Sequence, residues 1–349
     1  MKVKIHTKKF LFKKNVSLVL VLVMISGLVF TGCSPSKTKT KKDNSIRIGV
    51  TAYDSHDTFI SQLLEKFNSY AGSNVSIVSN YANLNQKTQD EQVEEMIYSG
   101  CDVICVNLVD RTDPSKIIKL AEENNVPIIF FNRELVEEDL QRWDKLYYVG
   151  ADAKESGEMQ GQLALSDIKA SGGNYDKNGD GVIQYAVLEG EVGHQDAIVR
   201  TEYSVDTIIA GGVALDDVGS SIANWNREQA QTKIAQLINQ KAGVELILAN
   251  NDDMALGAID AYTEAGVVPE DMPLIYGIDG TSEGLKAVRS GSMKGTVYND
   301  KEGQAKAMYE LATNLANKKS LGKLNLSNKH YIWLPYSKVD KTNVADYMR

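Results

Sequence analysis

Cysteine is scarce in this chain, with three residues in 349, at positions 33, 101 and 105. Cys101 and Cys105 flank the start of an apparent buried strand, where residues four apart lie ~13 Å from one another, beyond disulfide reach. They read as small core residues with no chemical role, and no disulfide is expected between them. Net positive charge is also missing: 38 Lys and Arg face 46 Asp and Glu, a formal charge of −8. That balance argues against nucleic acid as a partner.

The basic residues that are present crowd one end. Residues 1–15 carry six lysines and no acid, and Val16 to Phe30 is an almost unbroken apolar run. A basic segment, ~15 apolar residues and then small residues is the pattern of a secretory signal, short for a membrane span. Thr31-Gly32-Cys33 follows and resembles the bacterial lipobox, which would make Cys33 the lipidated N-terminus of the mature protein. The alternative is a simple membrane anchor with a free Cys33. Ser34 to Ser45 is a polar, lysine-rich tether with nothing to bury. Removing 1–32 takes six lysines away and lowers the formal charge from −8 to −14.

The length predicts about two domains, and the apolar pattern agrees. Ile46 to Ala52 reads as a strand, and Phe59, Leu63, Leu64 and Phe67 repeat at helical spacing. Strands near 75–78, 102–108, 126–131 and 147–150 alternate with helices over 84–99 and 113–124. Alternation then resumes. Helices are expected over 153–170, 196–210, 226–240, 252–265, 282–289 and 301–317. Strands are expected over 182–188, 212–216, 244–249, 273–278, 294–298 and 330–334. Such alternation implies parallel sheets covered on both faces. Two units arise without a sequence repeat, with crossings between them near 151, 299 and 333.

Polar residues cluster at the ends of the expected strands. Asp57 follows the first and Asn132 ends the fourth; His194 and Asp196, Asn251, Asp279 and Asn299 follow strands of the second unit. In parallel α/β sheets ligands bind outside the carboxyl ends of strands. Taken singly, each of these is as readily a turn or a helix cap; split across two units, they favour a cleft. His194 and Asp196 also invite an enzyme reading, a general base with its orienter. Two residues apart after a strand, they are not placed for that contact.

The segment Asp176 to Gln184 has a different character. Asp176, Asn178, Asp180 and Gly181 match the first half of an EF-hand loop, Val182 offers its carbonyl at position 7, and Gln184 takes position 9. Position 12, a bidentate Glu in an EF-hand, is Val187 here. On its own the segment is either an incomplete calcium loop or an Asx-rich turn without metal.

Several stretches together carry a family likeness: RIGVTAY, VNLVD, FFNRE, YYVGAD, ESG, DKNGDGVIQYAVLEGEVGHQDAIVR, ANNDDMALGA, GTVYND and LPYSKVD. From about Arg47 to the C-terminus the chain resembles the calcium-containing glucose/galactose-binding proteins of bacterial methyl-galactoside ABC importers. The resemblance implies an α/β fold of two Rossmann-like domains (periplasmic binding protein-like, type I) joined by a three-stranded hinge. It also resembles sugar-responsive repressors of that architecture, which begin with a helix-turn-helix instead of a signal peptide. Behind a signal peptide at 1–32 and a tether at 33–45, one lobe would comprise 46–151 plus 300–333 and the other 152–299 plus 334–349.

The family's sugar contacts fall on Asp57, Phe59, Asn132, His194, Asp196, Arg200, Trp225, Asn251, Asp279 and Asn299. A structural Ca2+ would be held by Asp176, Asn178, Asp180, the Val182 carbonyl and Gln184, with Glu245 supplying the missing carboxylate. The implied partners are D-galactose or D-glucose, the permease subunits of an ABC importer, and the membrane through lipidated Cys33. The implied protein is an extracytoplasmic, lipid-anchored monomer that closes on its ligand without covalent chemistry. Another monosaccharide as ligand, or a sensor that presents its closed form to a membrane receptor, are the alternatives.

Overall fold

Residues 45–348 are described in a computed structural model of the chain; the signal segment 1–32, Cys33 and the tether as far as Asn44 lie outside the described residues. The first stretch runs β1 (Ile46–Ala52), α1 (Thr58–Ser69), β2 (Val75–Tyr81), α2 (Gln86–Tyr98), β3 (Val103–Val106), α3 (Ser115–Asn124), β4 (Ile128–Phe131), α4 (Glu137–Leu140) and β5 (Leu146–Gly150). Next come α5 (Ala153–Ala170), β6 (Ile183–Glu189), α6 (Gln195–Ala210), β7 (Leu215–Asp217), β8 (Ser221–Ile222), α7 (Arg227–Gln240), β9 (Leu246–Ala249), α8 (Asp252–Glu264), β10 (Leu274–Asp279), α9 (Ser282–Ser290) and β11 (Gly295–Asn299). The tail adds α10 (Lys301–Ala316), β12 (Tyr331–Trp333), β13 (Tyr336–Asp340) and a 3-10 turn at Val344–Tyr347.

These strands form two sheets, β12-β5-β4-β3-β1-β2 and β13-β11-β10-β9-β6-β7, with β8 attached to β6. All pairings in the first sheet are parallel; in the second only β13 runs antiparallel, against β11. Central strands such as β4 (IIFF) are apolar throughout because both faces are covered. Ile128 and Phe130 pack on one side with Ile104 and Leu108, while Ile129 and Phe131 pack on the other with Phe59 and Leu63 of α1. The two free cysteines divide the same way, Cys101 in the first cluster and Cys105 in the second, and burial pushes the Cys105 thiol up.

Both sheets reverse their strand order in the same place, between β1 and β3 in one and between β6 and β9 in the other. Two units without sequence repetition therefore share one topology, and each opens a crevice at its reversal point. The chain passes between the sheets three times, from β5 to α5, from β11 to α10 and from β12 to β13. Strand β13 has no counterpart among the sequence expectations. Along YSKVD only Tyr336 and Val339 are buried and Lys338 is exposed, so this edge strand lacks the continuous apolar run that marks the others.

Helices α5 and α6 pack together through a glycine. A Cβ built on Gly161 would lie 2.5 Å from the Ser204 carbonyl oxygen and 2.7 Å from Thr207 Cβ, and both of those atoms belong to α6. The close approach fixes α6, and with it Arg200, against the second sheet. Gly161→Ala is expected to lower unfolding stability by about 1–3 kcal/mol, the usual cost of overpacking, as measured by urea denaturation. An unchanged midpoint would show that the helix pair has slack.

Candidate functional site

Three of the strand-end residues begin a helix. Asp57 accepts a hydrogen bond from Ile60 N (2.8 Å), Asn251 from Met254 N (2.9 Å), and His194 Nδ1 from Asp196 N (3.1 Å). Each is a true N-cap, so the plain reading and the functional one apply to the same side chains. What decides for function is convergence. A cleft between the two sheets, open to solvent, is lined by Tyr53, Asp57, Phe59, Asn132, Arg133, His194, Asp196, Arg200, Trp225, Asn251 and Asp279.

All the sugar-contact candidates lie on that wall except Asn299. It ends β11, is 2% exposed, and its Oδ1 accepts from Gln304 Nε2 at 2.5 Å. Tyr53 and Arg133 line the cleft although the sequence did not single them out. Both sit within stretches that carried the resemblance, one residue past β1 and one past Asn132. Tyr53 Oη donates to Asp57 Oδ2 (2.6 Å), and the Arg133 guanidinium lies 3.6 Å over the Tyr53 ring. Asn107, buried behind the wall, donates to Asn132 Oδ1 (3.1 Å) and orients its amide.

Arg200 is the electrostatic centre of the second half. Its Nη1 donates to the Asn250 carbonyl (2.8 Å) and its Nη2 to Tyr336 Oη (3.0 Å). Asp196 Oδ2 lies 3.4 Å from Nη2 and Asp279 Oδ1 3.8 Å from Nη1. Burial works against the guanidinium charge, but Tyr336, Asp196 and Asp279 together hold it protonated. Burial likewise raises both carboxyl groups, Asp279 well above its ordinary range, while Arg200 pulls in the opposite direction. Paired charges of this sort persist inside a protein only with such partners.

The backbone is unusual at three wall positions. Asn132 (φ 61°), Trp225 (φ 61°) and Asp279 (φ 115°) all adopt left-handed conformations that L side chains seldom take. Trp225 lies across Gly190, where a Cβ would come 2.0 Å from the indole, and meets the His194 ring edge-on at 5.0 Å.

The acidic loop lies elsewhere. Asp176 accepts from the backbone N–H of Gly179, Asp180 and Gly181 (2.7, 3.1 and 2.8 Å), and Gly181 turns the chain with φ 84°. Asp180 accepts from Val182 N and from the amides of Asn178 and Gln184. Glu245, 2% exposed, accepts from Lys177 N (2.5 Å) and Gln184 N (3.1 Å). The five side chains thus share one neighbourhood despite the sequence distance. Their donors are oxygens, three of them carboxylates, which suits a hard cation. As arranged, the oxygens are engaged by hydrogen bonds, and among the described residues no three His, Cys, Asp or Glu side chains converge closely enough to share an ion.

Comparison with known proteins places this architecture. The periplasmic binding protein domain model matches residues 48–320. The chain is 36% identical over 310 residues to the D-galactose/methyl-galactoside binding periplasmic protein MglB of Haemophilus influenzae, covering 87% of this chain and 92% of the relative. It is 32% identical over 272 residues to a xylitol-binding protein of Mycolicibacterium smegmatis, covering 77% and 72%. Among solved structures, an ABC transporter solute binding protein from Bacillus halodurans with bound myo-inositol superposes with a TM-score of 0.73 at 26% identity, covering 88% of this chain and 99% of that one.

The chain belongs to the periplasmic binding protein family. Its members are non-enzymatic, extracytoplasmic solute receptors. The His194–Asp196 pairing accordingly has no catalytic task, and its geometry agrees, since His194 Nδ1 is spent on the Asp196 backbone.

Burial, then the charges of Arg133, Arg200 and Arg111, push His194 well below its ordinary pKa. The imidazole is neutral at pH 7. A lowered folded-state pKa means that the unfolded chain takes up the proton first, so this group's stability contribution is present above about pH 6.5 and is lost as pH falls further. An NMR titration of the imidazole should find a midpoint well below 6.5; a midpoint at or above it would contradict the assignment.

Proposed function

We propose that the protein is the receptor of an ABC sugar importer, closing its two lobes around D-galactose or D-glucose and passing the sugar to a membrane permease. The observation that carries this reading is the composition of the cleft wall. Carboxylates and amides at Asp57, Asn132, Asp196, Asn251 and Asp279 line one cleft together with Arg200 and two aromatic side chains, Phe59 and Trp225. A pyranose offers hydroxyls that each donate and accept, together with two apolar C–H faces, and this set supplies both kinds of partner. Asp57, Asn132 and Asp279 accept from hydroxyls, while Arg200 supplies donors that the acids lack. Arg200 Nε, buried without an acceptor, is a further donor free for a ligand.

The relatives support a polyhydroxylated ligand. One is named for D-galactose and methyl-galactoside, another for xylitol and another for ribose import. The identity and coverage of the first favour a hexose. Asn299 stands off the wall, with its Oδ1 held by the Gln304 amide. Lipid attachment at Cys33 would keep the receptor at the membrane beside its permease.

Calorimetric titration of the mature protein with galactose, glucose, ribose, xylitol and myo-inositol tests the reading. Saturable binding of a hexose is expected, weakened at least a hundredfold in Asp279→Asn, which removes one counter-charge from Arg200. Binding of xylitol or myo-inositol with no hexose response would overturn the assignment to a hexose.

We also propose that the loop from Asp176 to Gln184, closed by Glu245, holds a structural Ca2+. Asp176, Asn178, Asp180, the Val182 carbonyl, Gln184 and Glu245 would be its ligands, and the ion would tie the loop to β9, beyond whose end Asn251 stands. Addition of a chelator is expected to lower the melting temperature by several degrees and calcium to restore it, with Glu245→Gln abolishing the response. A chelator-insensitive melt would sink the metal and leave an Asx turn.

A further inference from the structure

The sugar contacts account for one set of groups between the lobes and leave a second set unused. Arg133 follows β4 of the first sheet and is 4% exposed, yet its Nη2 donates to Glu191 Oε2 at 2.9 Å, beyond β6 of the second sheet. Its Nη1 is fixed by the Val109 carbonyl (2.9 Å), so the guanidinium is anchored on its own lobe and bonded to the other. Beside it, Arg111 Nε donates to the Glu134 carbonyl (2.7 Å) and Arg111 Nη2 to Gln195 Oε1 (2.6 Å), while Gln195 Nε2 returns a bond to Glu134 Oε2 (3.2 Å). Three side chains of the first lobe thus meet two of the second along one edge of the cleft.

Their positions in the chain matter. Arg133 and Glu134 directly follow Asn132, and Glu191 and Gln195 flank His194. Each bond across the edge therefore pulls on a backbone segment that presents a wall residue. Glu191 itself does not line the cleft.

We propose that Arg133–Glu191, together with Arg111, Gln195 and Glu134, forms a latch that exists only in the closed state and sets how slowly the receptor reopens. This inference rests on the reading of the protein as a closing receptor. Breaking one partner of a largely desolvated charge pair acts chiefly on dissociation, while the encounter rate changes little. The latch thus controls residence time separately from the hydroxyl contacts.

The test is a double-mutant cycle of Arg133→Met and Glu191→Gln, read by stopped-flow tryptophan fluorescence with D-galactose and D-glucose, alongside X-ray scattering of the sugar-free proteins. Glu191→Gln is expected to speed dissociation about tenfold with association changed less than threefold. In that background Arg133→Met should speed dissociation less than it does in the wild type, since the pair is already broken; full additivity would mean that Arg133 and Glu191 act independently and would overturn the pairing. Sugar-free Glu191→Gln should scatter with a larger radius of gyration than wild type, from loss of closed molecules. Unchanged dissociation together with unchanged scattering would overturn the latch. If wild type bound neither sugar, the hexose reading would fail, and scattering would still decide the latch. Should Arg133→Met fail to fold, a cycle of Arg111→Met and Gln195→Ala, which pair directly across the same edge, replaces it.

Discussion

A guanidinium buried between two lobes of low dielectric is costly unless its charge is answered, and the architecture of the second lobe is arranged around that requirement. Arg200 receives its answer from four directions: Asp196 one turn earlier on the same helix, Asp279 at the end of β10, the Asn250 carbonyl after β9, and the Tyr336 hydroxyl on β13. These partners arrive on elements separated by up to 136 residues, so the charge binds distant parts of the chain into one structure. Removing any carboxylate would leave the remainder mispaired. The close approach of α5 and α6 at Gly161 belongs to the same arrangement, because it decides how deep the Arg200 helix sits.

Tyr336 adds a second aspect. It begins the strand reached by the last crossing between sheets, and its hydroxyl touches the charge centre of the cleft. On the other lobe, Tyr148 ends near the first crossing and donates to the Asn132 carbonyl at 2.8 Å. The connecting strands are therefore in hydrogen-bond contact with the wall on both sides. Rotation at the connections would therefore disturb hydrogen bonds of the wall.

Much of this was legible from residues alone, for identifiable reasons. The central strands announce themselves because burial on both faces demands unbroken apolar runs, as in IIFF and LILA. Wall residues were legible because they stand at strand ends and belong to recognisable stretches. Strand β13 was not legible, since a half-exposed edge strand with Lys338 and Asp340 carries no apolar run. Tyr53 and Arg133 escaped because a tyrosine after a strand and an arginine after an asparagine have no distinctive spacing; only the stacking of one on the other marks them. The proximity of Glu245 to the acidic loop came from resemblance, since nothing in local spacing ties a residue on one strand to a loop sixty positions earlier. That Asn299 bonds Gln304 and does not line the cleft depends on side-chain packing that no pattern encodes.

The left-handed backbone at Asn132, Trp225 and Asp279 carries a consequence for how such a receptor can change its ligand. A β-branched or bulky replacement at Asn132 or Asp279 would meet the φ penalty before it met any sugar, of order 1–3 kcal/mol. Asp57, His194 and Asn251 stand in extended backbone that most residues adopt. Drift in specificity, natural or engineered, therefore has a graded terrain. It can run freely through the helix-starting positions, at the modest expense of a cap, while the strained positions hold the chemistry of the wall constant.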